Sequence, residues 1–471
     1  MNYDVVIGIE IHIELKTKTK MFSRAPYDFK AKANTCANEI DLALPGTLPC
    51  VNEEAVIKAL QTCMALNLTI DDLLKFDRKN YYYADLPKGY QITQQFHPLG
   101  RDGYIELEGG KKVRINRLHM EEDTAKQFHL SSCSLVDYNR AGVPLIEVVS
   151  EADMSSAKEA MSYVEKLRQT VEYLDASDAK MEEGSLRCDV NISLKEAGSN
   201  VYGTKVEIKN LNSIANIGSA IEYEIKRQGE LLEKGEKIIQ ETRRYDERNE
   251  VTVAMRKKEG TIDYKYFPEP NIFPIRLSKE FIENARSKMA ELPSQKAERY
   301  INNYGLKEYD VQLLLNKREV AAYFDCVMQD CRNAKVACNM LNSELVGLLA
   351  KQELDFENNP ISSKHFAQLI NILDEGKISS KQAKEVLNEM LKGESPEKII
   401  KDKGLEQISD EATLLKMINE VLDANEQSII DFKNGKTHVQ GYLVGQLMKK
   451  SQGKANPALA AKLIAQELAK R

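Results

Sequence analysis

Glu10, His12 and Glu14 occupy alternate positions in the stretch VVIGIEIHIEL, residues 5–15. In an extended chain alternate residues share a face. An acid, an imidazole and an acid therefore stand in a row, opposite Val5, Ile7, Ile9, Ile11, Ile13 and Leu15. Other stretches repeat the pattern. GSLRCDVNISL sets Arg187, Asp189 and Asn191 opposite Leu186, Cys188, Val190, Ile192 and Leu194, and GTKVEIKNLNS sets Lys205, Glu207 and Lys209 opposite Val206 and Ile208. GVPLIEVVSEAD carries Glu147 inside an apolar run, and RLHMEEDTAK carries Glu121, Glu122 and Asp123 after His119. A carboxylate in an apolar run is costly unless paired, hydrogen-bonded or bound to a metal.

Any one of these strands fits a half-exposed sheet whose polar face meets water. Taken together they describe a packed face backed by carboxylates, an imidazole, Arg and Lys, where a merely solvated face more often shows Thr, Ser, Gln and flexible Lys. Carboxylates with a histidine suit a divalent cation; Mg²⁺ takes oxygen ligands and keeps water for a substrate phosphate. Arg and Lys beside it hold phosphate oxygens. The chemistry expected is Mg²⁺-assisted phosphoryl transfer from a nucleotide on an open sheet. NGKT at 434–437 resembles the end of a P-loop, but Ile430 stands where a glycine is required. There is no GxGxxG, HExxH or GxSxG, and no convincing Cys–His or Ser–Lys pairing, so the chain is not expected to hydrolyse an amide itself.

The elements that must position these residues are legible. Residues 1–270 alternate period-2 runs with a few helices. A helix is expected at roughly 156–174, opened by a Ser156/Glu159 capping box, and another from about 213, with Ile214, Ile217, Ile221 and Ile225 at helical spacing and a stop near Gly229 or Gly235. FPEPNIFPI, with three prolines, cannot be interior sheet or helix. Helical periodicity dominates from about 278; LPSQKAERYINNYG reads as a helix opened by Pro293 and stopped at Gly305. The expected architecture is α+β: a mixed-sheet domain over 1–276, an all-α domain over 277–404 and a small helical tail over 405–471.

The chain has 471 residues, too many for one core. Its eight cysteines are scattered without CxxC pairs and read as reduced thiols, as in a cytoplasmic protein. No signal or transit peptide and no membrane-spanning run is expected. Net charge is −6, which argues against a simple nucleic-acid coat. From Asp431 to Arg471, however, eight basic side chains (Lys433, Lys436, Lys449, Lys450, Lys454, Lys462, Lys470 and Arg471) stand against two acidic ones, leaving the tail at +6 and residues 1–430 at −12. Such a tail fits a polyanion contact, and equally a solvated helical face.

The same stretches, together with FDRKNYYYADLPKGYQIT, MEEGSLRCDVNISL, QETRRYDE, DYKYFPEP and DFKNGKTHVQGYLVGQLMKKSQGKANP, resemble the B-subunit family of aspartyl/glutamyl-tRNA(Asn/Gln) amidotransferases over essentially the whole chain. The resemblance implies a kinase and transamidase component of a heterotrimer. ATP phosphorylates the side-chain carboxylate of Glu on tRNA(Gln) or Asp on tRNA(Asn), and ammonia then displaces phosphate. The ammonia is freed from glutamine by the A component, an amidase, and passes through a channel; the C component is a small linker. The resemblance also implies a catalytic domain like the glutamine synthetase fold, an analogy of fold and chemistry.

Carried over by motif, the expected metal ligands are Glu10, His12, Glu122 and Glu147. Glu121, Asp189 and Glu207 are expected to serve a further cation or to orient ammonia, and Arg187, Lys205 and Lys209 to contact phosphate or the tRNA 3′ end. Lys79, Lys88, Tyr82 and Tyr90 are expected at the nucleotide; Tyr81, Tyr82, Tyr83 and Tyr90 could each stack on the terminal adenosine of the tRNA or on ATP, or equally pack in the core. Many members carry two cysteine pairs for zinc in the segment matching residues 22–50. Here that segment holds only Cys36 and Cys50, too few for a closed site, so ATP and Mg²⁺ are expected without zinc, the loop being held by packing. The helical segment and basic tail are expected to grip the tRNA body by charge and shape. Two other readings are a stand-alone ATP-dependent ligase for a small carboxylate and a non-catalytic tRNA-binding protein within the complex.

Overall fold

The computed structural model describes residues 3–28, 30–257, 263–405, 410–433, 439–451 and 455–470. NGKT at 434–437 and the tail cations Lys436, Lys454 and Arg471 lie outside them. The chain forms two compact units, 1–293 and 294–471.

The first unit is a mixed α/β domain. Its strands in chain order are β1 (Tyr3–Glu14), β2 (Thr69–Ile70), β3 (Leu73–Leu74), β4 (Asp77–Asn80), β5 (Tyr90–Thr93), β6 (Gly100–Glu106), β7 (Lys112–Glu122), β8 (Lys126–His129), β9 (Ser134–Asp137), β10 (Pro144–Ser150), β11 (Leu186–Glu196), β12 (Val206–Leu211), β13 (Glu241–Asp246), β14 (Val251–Lys257), β15 (Phe267–Pro268) and β16 (Ile275–Arg276). Nine of them make one sheet in the order β14-β13-β12-β11-β1-β10-β7-β6-β2, antiparallel except for the β12–β13 pair. A small sheet β15-β4-β5 lies beside it, and β8–β9 is a separate hairpin.

The opening strand is central because its apolar face is unbroken. Ile7, Ile9, Ile11, Ile13 and Leu15 are at most 1% exposed. Leu186, Cys188, Val190 and Ile192 of β11 and Val206 and Ile208 of β12 join the same core. Helices α1 (Glu53–Ala65), α2 (Ala157–Tyr173) and α3 (Ile214–Glu233) contribute to it through Leu60, Tyr163, Leu167, Ile217 and Ile221. Each full side chain of this kind contributes about 1.5–3 kcal/mol on burial. Ser156 caps α2 by accepting from the Glu159 N–H. The Glu159 carboxylate accepts from Ser155 instead of closing the expected box. Ser213 caps α3, and the chain leaves it through Gly235 at φ +73°. Gly218 allows α2 and α3 to approach, since a Cβ there would meet the Met161 sulfur at 2.5 Å.

The expected boundary after residue 276 falls inside this unit. Helix α4 (Lys279–Ser287) packs back onto the core, with Ala285 fully buried and its carbonyl accepting from Gln61 Nε2 at 3.0 Å. In FPEPNIFPI the prolines leave only two-residue edge pairings, β15 on β4 and β16 on β3.

The loop containing Cys36 and Cys50 is held by more than packing. Lys20, fully buried, places Nζ 3.1 Å from Asp41 Oδ2 and donates to the Tyr138 carbonyl. Cys36 N donates to Asn139 Oδ1. Both thiols are free.

Among the described residues, the regular elements of the second unit are all helices. Its first helix, Pro293–Tyr304, ends at Gly305 with φ +63°. Helices up to residue 403 bury Tyr300, Phe324, Leu341 and Phe366. Those from 411 to 470 bury a cluster of their own around Leu414, Ile418, Leu443, Leu447, Leu463 and Ile464. No helix among the described residues is long and apolar enough to cross a membrane.

Candidate active site

Strand register builds a polar row across the middle of the large sheet. His12 on β1 faces Arg187 on β11 and Glu147 on β10, and Glu147 faces His119 on β7. Two residues along, Glu14 faces Leu145, which faces Glu121. These positions share the face opposite the core, because successive residues of a strand alternate. The donor atoms of His12, Glu121 and Glu147 lie within 4.8 Å of one another. His12 Nε2 is 3.4 Å from Glu147 Oε2 and 3.6 Å from Glu121 Oε1. His119 Nε2 is 3.0 Å from Glu147 Oε2 and 3.7 Å from Glu121 Oε2.

The four groups stabilise one another's charged forms. Burial opposes charge on Glu147, but His119 and His12 outweigh it and hold the carboxyl well below its ordinary range; Glu121 is lowered in the same way. Burial also opposes charge on His119, yet Glu147 and Glu121 raise it to about 9. His12 is raised despite its burial, chiefly by Glu147. His12 Nε2 with one oxygen each of Glu121 and Glu147 makes a three-atom donor set that suits a divalent cation, which would take the place of the imidazole proton, with His119 held against the same carboxylates. Three buried polar atoms on this face lack a hydrogen-bond partner among the described residues: His119 Nδ1, Arg187 Nε and Asn191 Oδ1.

Cations flank the cluster. Arg187 donates to Asp123 at 2.8 Å. Burial opposes the charge of Lys79, but Glu121, with further help from Tyr266 and Glu147, raises its pKa. Asp189 and Lys209 pair at 2.6 Å, with Glu207 at 3.4 Å from the same ammonium. His12, Arg187, Asp189 and Lys209 line a cleft of about 510 Å³. Glu10, Asn191 and Lys205 line another of about 320 Å³.

Of the four expected metal ligands, only His12 and Glu147 come together. Glu122 follows Glu121 by one residue and therefore lies on the opposite side of β7. There both its oxygens accept from Lys88, and one also accepts from Ile92 N. Glu10 shares the polar face but accepts from Asn191 Nδ2 at 3.0 Å, away from the cluster. Of the two adjacent acids on β7, it is Glu121 whose oxygens come together with His12 and Glu147. Lys88 is thus tied to Glu122, Tyr90 lies under the Arg78 guanidinium at 4.0 Å, and Tyr82 is 91% exposed. None of these three has a polar contact with the cluster among the described residues. The expectation passed over His119. Alternation from Glu121 alone places it on the same face, so the signal was present.

The comparisons with known proteins agree over both units. A family model described as the GatB/GatE catalytic domain matches residues 5–283, and one described as the GatB domain matches residues 322–468. A protein of Staphylococcus saprophyticus, named as the B subunit of aspartyl/glutamyl-tRNA(Asn/Gln) amidotransferase, is 50% identical over 475 residues, covering all of both chains. Proteins of the same name from Oceanobacillus iheyensis and Geobacillus kaustophilus are 48% and 49% identical, again over the whole of both chains.

Proposed function

This chain belongs to the family of aspartyl/glutamyl-tRNA(Asn/Gln) amidotransferase B subunits, and from that premise we propose that the polar face of its sheet activates the carboxylate of a mischarged aminoacyl-tRNA. As part of a glutamine-hydrolysing ligase it acts with partner subunits: an amidase that frees ammonia and a small linker. Glu-tRNA(Gln), Asp-tRNA(Asn) or both are the substrates. The observation carrying the reading is the His12–Glu121–Glu147 cluster with Lys79 and Arg187 beside it on one open face.

A carboxylate is a poor electrophile, so the amide cannot form directly. In the proposed reaction a side-chain carboxylate oxygen attacks the γ-phosphorus of ATP and ADP leaves. Ammonia then attacks the acyl carbon, phosphate leaves, and one proton is lost. His12, Glu121 and Glu147 would hold Mg²⁺, with His119 against the same carboxylates. When bound, the ion neutralises phosphate charge and orients the reacting oxygens. Lys79 and Arg187 offer donors to the charge that develops on phosphate oxygens. Glu10, Asp189 and Glu207 belong to neighbouring polar clusters on the same face and suit a second cation or an ammonium ion. Lys205 and Lys209 border the clefts and suit phosphate or the tRNA 3′ end. The supply of ammonia by a partner is consistent with the thiols: burial pushes Cys63 and Cys188 upward, opposite to what an activated nucleophile needs.

An open, largely antiparallel sheet with carboxylates on one face supports the likeness to the glutamine synthetase catalytic fold. We assign the residues after 405 to a tail module that holds the tRNA body by charge, and we place the complex in the cytoplasm.

The test is ATP turnover by the complex reconstituted with its amidase and linker partners, given Mg²⁺, ammonium and mischarged tRNA. Turnover should require the tRNA and collapse in His12→Ala and Glu147→Ala while tRNA affinity is retained. Normal amidation by both variants would overturn the assignment.

A further inference from the structure

Resting on that reading, we propose that a line of aromatic rings beside the cluster is the track on which the single-stranded 3′ end of the aminoacyl-tRNA lies. Five rings follow one another edge to face. Phe96 and Tyr266 have centroids 6.5 Å apart, and Tyr266–Tyr264, Tyr264–Tyr81 and Tyr81–Tyr83 are each 6.0 Å apart. The rings come from three separate stretches of sequence, held together by the Asn80 N–H and side chain donating to the carbonyls of Tyr264 and Lys265.

This line is not a core. None of the five rings belongs to the buried core, and its two ends, Phe96 and Tyr83, are 51% and 62% exposed. Edge-to-face pairing gives each ring a fixed orientation. The exposed ends and half-buried middle leave ring surface within reach of a molecule laid along the line.

Cations run alongside it. Lys79 Nζ stands 4.9 Å from the Tyr264 ring centre and 5.7 Å from that of Tyr81. At the other end Arg101 donates to the Phe96 carbonyl and lies directly opposite Arg117 on the next strand. Like charges facing each other destabilise a sheet, and Arg117 has no ion-pair partner among the described residues. Phosphate groups passing over this part of the sheet would offset that like-charge pairing. Arg117 is two residues from His119 on the same strand.

Aromatic faces with flanking cations are the chemistry of single-stranded nucleic acid: bases stack, phosphates pair, and no particular sequence is demanded. In RNA, single-stranded ends are the parts whose bases are free to stack on proteins. The reacting carboxyl of an aminoacyl-tRNA is attached to such an end, so a track leading to the cluster delivers it there. An adenine ring of ATP would need only one of these rings.

The experiment is a cycle in the reconstituted complex, crossing Phe96→Leu and Tyr266→Leu with tRNA that has or lacks its 3′-terminal single-stranded nucleotides. Wild type should bind full-length tRNA about tenfold more tightly than the truncated form, the scale of one stacked base. Each Leu variant should lose that preference and raise KM for aminoacyl-tRNA with KM for ATP unchanged, while Tyr266→Phe, which keeps the ring, should behave as wild type. If the Leu variants keep the preference, or raise KM for ATP instead, the track is overturned. Loss of turnover at unchanged KM for both substrates would overturn it too. Collapse of turnover in Glu147→Ala tests the cluster separately, so the two ideas can fail independently.

Discussion

His119 Nε2 stands 3.0 Å from Glu147 Oε2, directly opposite it across the β7–β10 pair. That contact makes Glu147 a two-sided group, with His12 on one neighbouring strand and His119 on the other. Removing Glu147 leaves both imidazoles without their main counter-charge. Glu147→Ala should therefore lower ATP-dependent amidation by at least about 100-fold, the scale for loss of one preorganised electrostatic group. It should also weaken Mn²⁺ binding measured by calorimetry. His119→Ala should weaken Mn²⁺ binding by about 10–100-fold, as loss of a group that orients a ligand does.

Glu122 sits on the other side of the same strand, 4% exposed, against Lys88 at 11%. Glu122→Ala leaves a buried ammonium uncompensated, which costs about 3–5 kcal/mol of stability. The urea midpoint should fall well below that of Glu147→Ala, whereas Mn²⁺ affinity should fall less. A larger loss of Mn²⁺ affinity in Glu122→Ala than in Glu147→Ala would reverse the assignment of ligands.

Lys20 and Asp41 clamp the loop of residues 23–50. Lys20→Ala should expose that loop to limited proteolysis and destabilise the first unit by about 3–5 kcal/mol. The double change Lys20→Met, Asp41→Leu should recover much of the loss, because no buried charge is then left alone.

Glu224, fully buried, accepts from Arg227 and Gln228 on its own helix and from Thr252, and lies 3.1 Å from Arg243. Burial opposes its charge, but these partners outweigh burial and lower its pKa. A carboxylate lowered on folding contributes stability that is present above its unfolded value and lost as pH falls through its folded one. The wild-type urea midpoint should accordingly drop on acidification below the ordinary carboxylate value of 4.5. Glu224→Gln should be less stable at pH 7 and show a shallower acid limb. An identical acid limb would mean that the charge is not what its partners hold.

The tail prediction concerns salt. Lys449 and Lys462 are exposed on separate helices. If each pairs with one phosphate, the double alanine variant should flatten the slope of log affinity against log salt by about 1.5. ATP turnover at saturating tRNA should be unchanged.

Much of this was legible in the residues. The alternation in VVIGIEIHIEL determined both the buried face of β1 and the polar face behind it, because side-chain direction in a strand is a local property of the backbone. The caps at Ser156 and Ser213 and the stops at Gly235 and Gly305 were likewise local. So was the parity that separates Glu121 from Glu122 and joins His119 to the cluster, although the expectation did not count along that strand. Family motifs identified the chain as a whole.

What alternation could not supply was which strands are neighbours. His12, His119, Glu147 and Arg187 become one row only because β11, β1, β10 and β7 pair in that order and register. Helix α4 joined the first unit through contacts with α1, more than 200 residues away in sequence. The aromatic line likewise draws on residues near 81, 96 and 264. Pairing and register are set by the joint burial of apolar faces from distant segments. Sequence therefore determined what each strand could present, and tertiary structure decided which groups meet.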